Sequence, residues 1–214
     1  MSIPRFITID GIDGVGKSTQ IERLADAFRS RGHDVLAVRD PGTTEIGKRL
    51  REILLDGEIE MQRRTEAMLF MASRCEMIET VLRPALAEGK TVISDRFLLA
   101  NVVYQSTHQT EQNPGQNRCN TPDVTPELLW QMGRLACGGL CPDLTLLLDL
   151  PAETAFARLG EQTDRMESRG LDYLESVRSA FLEQLPHTGG RGELISAAGT
   201  IDDVTTRIHR TVFG

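Results

Sequence analysis

Several things are scarce in this chain, and each scarcity excludes something. No apolar run approaches the roughly 20 residues that a helix needs to cross a bilayer, so a helical membrane protein is excluded. The first residues, "MSIPRFITIDG", lack the long apolar stretch and small-residue cleavage site of a secretory signal and read as a strand, which predicts a cytoplasmic location. Only four cysteines are present, Cys75, Cys119, Cys137 and Cys141, and a disulfide framework does not suit a cytoplasmic chain of this size. The segment "CGGLC", with Cys119 and His108 upstream, fits no common zinc module, so reduced thiols are expected. Positive charge is also short. The net charge of −7 argues against nucleic-acid binding, which needs a basic face to displace counterions. Lysine is scarcest of all: three residues, against 21 arginines. One of the three, Lys17, sits in "GIDGVGKST".

What is present describes one domain over residues 1–214, with no internal repeat and no linker. "RFITIDG" is an apolar strand that ends in a glycine turn. A helix follows from Lys17 to Arg31, with Ile21, Leu24, Ala25 and Phe28 on one face and Gly32 as its stop. "DVLAVRD" reads as a second strand. Helical pattern covers 44–56 and 62–88, and "TVISD" (91–95), "LTLLLDL" (144–150) and "ELISA" (193–197) supply three more strands. The apolar runs are too short for helices and lack alternation, the mark of strands buried on both faces. Strands alternating with helices predict an α/β fold, a five-stranded parallel sheet covered by helices on both faces. Two segments interrupt the rhythm: a polar stretch over 106–124, rich in Asn, Gln, Pro and Thr, and an arginine- and glycine-bearing stretch over 158–170.

"GIDGVGKS", Gly11 to Ser18, matches the phosphate-binding pattern G-x-x-x-x-G-K-S/T in full. Its glycines let phosphate oxygens approach backbone N–H groups, and the following helix N-terminus adds unpaired donors and positive potential. Gly11, Ile12, Asp13, Gly14, Val15, Gly16, Lys17, Ser18 and Thr19 are therefore the expected nucleotide site, with Lys17 on the terminal phosphates and the Ser18 hydroxyl on Mg²⁺. Independent draws from this composition produce the pattern in about three chains per thousand, so chance is a poor explanation, and the required strand and helix flank it. The pattern and its flanks predict a P-loop NTPase fold. The guanine-reading Asn-Lys-x-Asp segment of GTPases is absent. Asp95 ends a strand as a Mg²⁺-linked carboxylate does, and Arg96 follows directly. A guanidinium beside the metal carboxylate points to a second, anionic substrate.

With those residues in place, the chain resembles the thymidylate kinase family. The resemblance runs over nearly the whole length, through "FITIDGIDGVGKSTQ", "RDPGTTEIGKRLREILLD", "TEAMLFMASRCEMIETVLRPALAEGKTVISDRF", "NVVYQ", "PDLTLLLDLPAE" and "DRMESRGLDYLESVRSAFLE". It implies transfer of the γ-phosphate of MgATP to dTMP in a homodimer, with the apolar helix 62–88 available as the interface. Phe70 and Arg74, four residues apart and so on one helix face, would stack on thymine and donate to its O4. Core packing is the alternative reading of Phe70 taken alone. Asn101 and Gln105 would read the base edge, and Tyr104 would crowd the sugar 2′ position. Arg96, with Arg51 or Arg39, would hold the acceptor phosphate. Asp95 would act near Mg²⁺, and Asp13 would lie between the two substrates.

The resemblance has two departures. Members that carry a catalytic arginine in the phosphate loop place it directly after the Asp13 position, where this chain has Gly14. The other members use arginines of a lid, here 158–170, with Arg165 the best match, Arg158 second and Arg169 better read as solvated charge. The segment after Gln105 is longer than usual for the family and looks like an insertion. Two rivals stay open on the residues alone: a kinase of another deoxynucleotide or nucleoside, and a nucleotide-dependent switch with no second substrate.

Overall fold

A computed structural model describes residues 3–56, 61–107, 124–159 and 170–214. Strand β1 (Phe6–Asp10) is buried along its whole length and leads through the glycine turn into α1 (Lys17–Arg29). Then come β2 (Val35–Arg39), α2 (Glu45–Leu55) and α3 (Arg63–Met77). Helix α3 runs on through a π-helical turn, Ile78–Leu82, into the short α4 (Arg83–Ala87). The expected helix over 62–88 is thus one rod with a widened turn inside it. Next are β3 (Thr91–Asp95), α5 (Leu98–Ser106), α6 (Pro126–Ala136) and β4 (Leu144–Asp149). The chain closes with α7 (Ala152–Leu159), α8 (Leu171–Gln184), β5 (Arg191–Ser196) and α9 (Ile201–Phe213).

All strand pairs are parallel, in the order β2-β3-β1-β4-β5. The three central strands supply the continuous apolar runs, because they are covered on both faces. The edge strands β2 and β5 are half exposed and carry the charged residues that an edge tolerates. Helices α1 and α9 pack together through Phe28 and Phe213, whose ring centroids lie 4.9 Å apart. On α5, Tyr104 meets Phe181 of α8 edge-on at 5.8 Å, and Leu98 fills the space that a side chain on Gly133 of α6 would take. From β1 the chain crosses to β2 on one side and later to β4 on the other. That reversal opens a crevice at the strand C-termini, where ligands of open α/β sheets bind.

Candidate active site

The glycine turn occupies this crevice. The side chains of Thr44, Thr125 and Thr200 cap α2, α6 and α9, whereas α1 starts from Gly16, which offers no side chain and sits at φ 94°. The first N–H groups of α1 are therefore left to an external anion. Lys17 is folded back over the turn, its Nζ donating to the carbonyls of Gly11 (3.0 Å) and Ile12 (2.8 Å) and to Asp13 Oδ1 (3.3 Å). Around this turn lies a cavity of about 330 Å³ lined by Asp13, Gly14, Gly16, Lys17, Ser18, Thr19, Arg39, Asp95, Arg96 and Arg158. A neighbouring cleft of about 290 Å³ runs from Gly14, Val15 and Gly16 to Ala197, Gly199 and Thr200 of the β5–α9 connection. Sequence reasoning did not single out that second wall, because a polar turn at the end of an edge strand carries no distinguishing pattern.

Charge is concentrated where the loop meets β3. Arg96 is the one non-glycine residue at positive φ (66°) among the described residues, a backbone state that such residues enter only under constraint. Its Nη2 donates to Asp13 Oδ1 at 2.5 Å, and its guanidinium carbon lies 4.8 Å from the centroid of Tyr104. Burial raises the Asp13 carboxyl, but Arg96 and Lys17 outweigh it and hold the group well below the usual carboxylate range. Burial, with Arg96 adding to it, pushes Lys17 down to about 8 against the pull of Asp13 and Asp95. Asp95 lies 3.7 Å from Arg39 Nε through Oδ2, and its Oδ1 is buried without a partner. A neighbour, Asp10, is fully buried, and burial raises it to about 6 although Arg96, Lys17 and the Thr8 side chain pull it down. Asp10 escaped the sequence reading because an acid before a glycine turn looks like the end of a strand.

Beyond Arg96 a second cavity, of about 210 Å³, opens between α3, α5 and the end of β2. It is lined by Arg39, Arg51, Phe70, Arg74, Arg96, Asn101, Tyr104 and Gln105, all eight residues expected to bind the acceptor, together with Asp13, Asp40, Leu55 and Phe97. Arg39 and Arg51, alternatives in the sequence, both face it. Phe70 is half-buried rather than locked in the core. Arg74 is 1% exposed and tightly held. Its Nε donates to Asp40 Oδ2 at 2.6 Å, Nη1 to Asn101 Oδ1 at 2.9 Å and Nη2 to the Phe97 carbonyl at 3.3 Å. Asn101 Nδ2 in turn donates to Gln105 Oε1 at 2.6 Å, and Gln105 Nε2 to Glu66 Oε1 at 3.4 Å. Asp40, missed in the sequence, anchors this chain of polar groups.

Comparison with known proteins agrees with the geometry. A family model described as thymidylate kinase matches residues 9–208. The chain belongs to the thymidylate kinase family. Its similarity to the thymidylate kinase of Rhodopirellula baltica is 61% identity, over 95% of this chain and 78% of the relative. For the thymidylate kinase of Desulforudis audaxviator the figure is 43%, over 90% of this chain and 82% of the relative. For that of Neisseria gonorrhoeae it is 38%, over 99% and 97%.

Within this thymidylate kinase fold, Gly14 has a local reason. It sits at φ 83°, and a Cβ built on it would lie 2.2 Å from the Ala155 carbonyl oxygen of α7. An arginine at that position requires α7 to move. Arg158, at the end of α7, is exposed and borders both the loop cavity and the cleft beside it. Arg165 and Arg169 lie outside the described residues, as does most of the 106–124 segment with His108 and Cys119. Of "CGGLC", Cys137 is buried, which raises its thiol to about 11, and Cys141 is exposed. Among the described residues no cluster of three histidine, cysteine or acidic side chains is placed to hold a metal. No helix among them is long and apolar enough to cross a membrane.

Proposed function

We propose that the chain transfers the γ-phosphate of ATP to dTMP, giving ADP and dTDP. One observation carries this reading: the phosphate-loop cavity and the acceptor cavity share Asp13, Arg39 and Arg96 as a common wall. A donor phosphate chain on the loop and an acceptor phosphate on the arginines would then meet across that wall. Phosphoryl transfer needs little covalent chemistry from a protein, only alignment and neutralisation of two repelling phosphates.

Lys17 and the free N–H groups of α1 hold the donor phosphates, Lys17 exchanging its loop carbonyls for phosphate oxygens. The cleft toward Ala197, Gly199 and Thr200 takes the donor nucleoside. Arg96, Arg39 and Arg51 hold the acceptor phosphate, and Asp13 sits between the substrates within reach of a sugar hydroxyl. Phe70 stacks on the base. Arg74, fixed by Asp40, Met71, Asn101 and Phe97, has five N–H groups and keeps one for the thymine O4. Asn101 and Gln105 complete the base edge, and Tyr104 disfavours a ribose 2′-hydroxyl. The orphaned buried Asp95 Oδ1, near Ser18 on the wall of one cavity, suits a hydrated Mg²⁺, so Ser18 and Asp95 are the residues that would hold it. The ion, when bound, neutralises phosphate charge. Arg158 and Arg165 would close over the phosphates, excluding water and limiting hydrolysis.

The same reading makes residues 1–214 a single cytoplasmic domain that acts on small molecules rather than nucleic acid or membrane, and pairs two copies through α3. Met68 on α3 and Ile53 on α2, 53% and 41% exposed, supply apolar surface for that pairing. Phosphorus NMR of a reaction with ATP and dTMP tests the activity. Equal growth of the dTDP and ADP signals is expected, and release of inorganic phosphate alone contradicts it.

A further inference from the structure

The polar groups behind the acceptor cavity form one chain with a carboxylate at each end. From Asp40 the links run through the Arg74 guanidinium, the Asn101 amide and the Gln105 amide to Glu66, at 2.6, 2.9, 2.6 and 3.4 Å. Arg74, Asn101 and Gln105 are buried, and Glu66 is half-buried on α3, one turn before Phe70. A guanidinium only donates and a carboxylate only accepts, so the ends dictate how both amides are turned. Arg74 requires the Asn101 oxygen. That leaves the Asn101 nitrogen for Gln105, which answers with its own oxygen. The Gln105 nitrogen then needs an acceptor, and Glu66 Oε1 is the one it meets. Glu66 is not on the cavity wall, and the transfer reaction gives it no other task.

We propose that Glu66 is a positioning residue for base selection: by holding the Gln105 nitrogen it keeps the Gln105 oxygen on Asn101 and the Asn101 oxygen on Arg74, which favours thymine over cytosine. The inference rests on the reading of this cavity as the site of the acceptor base. Thymine presents an acceptor, O4, beside a donor, N3–H, whereas cytosine presents an amino donor beside an acceptor nitrogen. The cavity offers the complement of thymine, an Arg74 N–H with the Asn101 oxygen 2.9 Å from Nη1. Each amide oxygen keeps a lone pair after its bond within the chain. Turned end for end, either amide sets an N–H against thymine N3–H and gives cytosine a donor. An amide turns with almost no change of shape, so its partners alone fix its polarity. Arg74 fixes Asn101 from one end in the empty site. Once a base draws on the same guanidinium, Glu66 holds the pair from the other end.

Glu66→Gln keeps the shape but lets residue 66 offer Gln105 either an oxygen or an N–H. The ratio of kcat/KM for dTMP to that for dCMP is expected to fall about tenfold, through a higher KM for dTMP, while the KM for ATP stays within about twofold. In the exchanged pair Glu66→Gln/Gln105→Glu the carboxylate at 105 accepts from Asn101 and from the amide at 66, so the polarity at Asn101 returns at unchanged net charge. That pair should select dTMP better than either single variant does, a recovery that a purely structural role of Glu66 does not produce. Should the Gln variant not fold, Glu66→Asp decides: it withdraws the carboxylate by one methylene, and a smaller fall in the ratio is expected. An unchanged ratio, an equal loss with both acceptors, or an exchanged pair no better than the single variants overturns the inference. If the unaltered enzyme prefers dTMP and Glu66→Gln prefers it equally, the positioning role fails and the reading of the cavity stands. If the unaltered enzyme does not distinguish dTMP from dCMP, the reading of the cavity fails, and the positioning role fails with it.

Discussion

Replacing Asp40 by Ala separates the fold's hold on Arg74 from the base-reading role proposed for Arg74. The two side chains are 0% and 1% exposed, and Asp40 Oδ2 accepts from Arg74 Nε at 2.6 Å. Without Asp40 the guanidinium keeps Asn101 Oδ1 and the Phe97 carbonyl but loses the one counter-charge it has among the described residues. Breaking a buried pair from one side costs about 3–5 kcal/mol, because the surviving charge is uncompensated. For a domain of this size each kcal/mol is worth about 2–4 °C, so Asp40→Ala should melt roughly 6–20 °C lower. The double variant Asp40→Ala/Arg74→Met removes both charges and fills the space with an apolar chain. It should be more stable than Asp40→Ala alone, since apolar replacements of buried pairs are often neutral. Urea titrations of the four proteins in a double-mutant cycle give the coupling energy. Additivity within about 0.5 kcal/mol would refute the claim that Asp40 and Arg74 act as one buried unit. Surviving Asp40→Ala should also bind dTMP more weakly, as Arg74 loses its fixed direction.

Other expectations follow from single distances and charges. Because the folded protein lowers Lys17 to about 8 from 10.5, the free enzyme gives up that proton earlier than the unfolded chain does. The unfolded chain then binds more protons between those values, so this group favours folding increasingly as pH rises through them, while kcat/KM for ATP should fall above pH 8. A flat profile to pH 10 contradicts this. Gly14→Arg should lower stability and weaken ATP binding instead of supplying a catalytic arginine, because its Cβ meets the Ala155 carbonyl at 2.2 Å; calorimetry with ATP reads both. Gly133→Ala places a Cβ 2.1 Å from Leu98 Cδ1, and overpacking of this kind costs about 1–3 kcal/mol, which a thermal melt detects.

Where sequence and structure agree, local pattern and fold make the same demand. "TVISD" becomes β3 with the same ends, Thr91–Asp95, because a buried parallel strand is apolar until it reaches the crevice and polar there. The eight residues expected to bind the acceptor line one cavity, and helical spacing puts Phe70 with Arg74, and Asn101 with Tyr104 and Gln105, on common faces. The misses have a common cause as well. The π-helical turn Ile78–Leu82 inserts a wider loop of backbone without changing side-chain polarity, so periodicity passes over it. Asp10 closes β1 and Asp40 directly follows β2, places where an acid is unremarkable. Only the tertiary fold brings Arg74 onto Asp40 from 34 positions away, or buries Asp10 completely. Thr200, Gly199 and Ala197 reach the loop through the pairing of β5 with β4, which local pattern does not encode.

The central claim is that this loop passes a phosphate to dTMP. ADP formation with MgATP against dTMP, dUMP, dCMP, dGMP, UMP and thymidine, with Lys17→Ala in parallel, tests it most directly. The account predicts fast turnover with dTMP, weaker turnover with dUMP, little with the others, and a loss of about a hundredfold or more in the variant. Turnover that is indifferent to dTMP, or that prefers a purine or ribose acceptor, would contradict it.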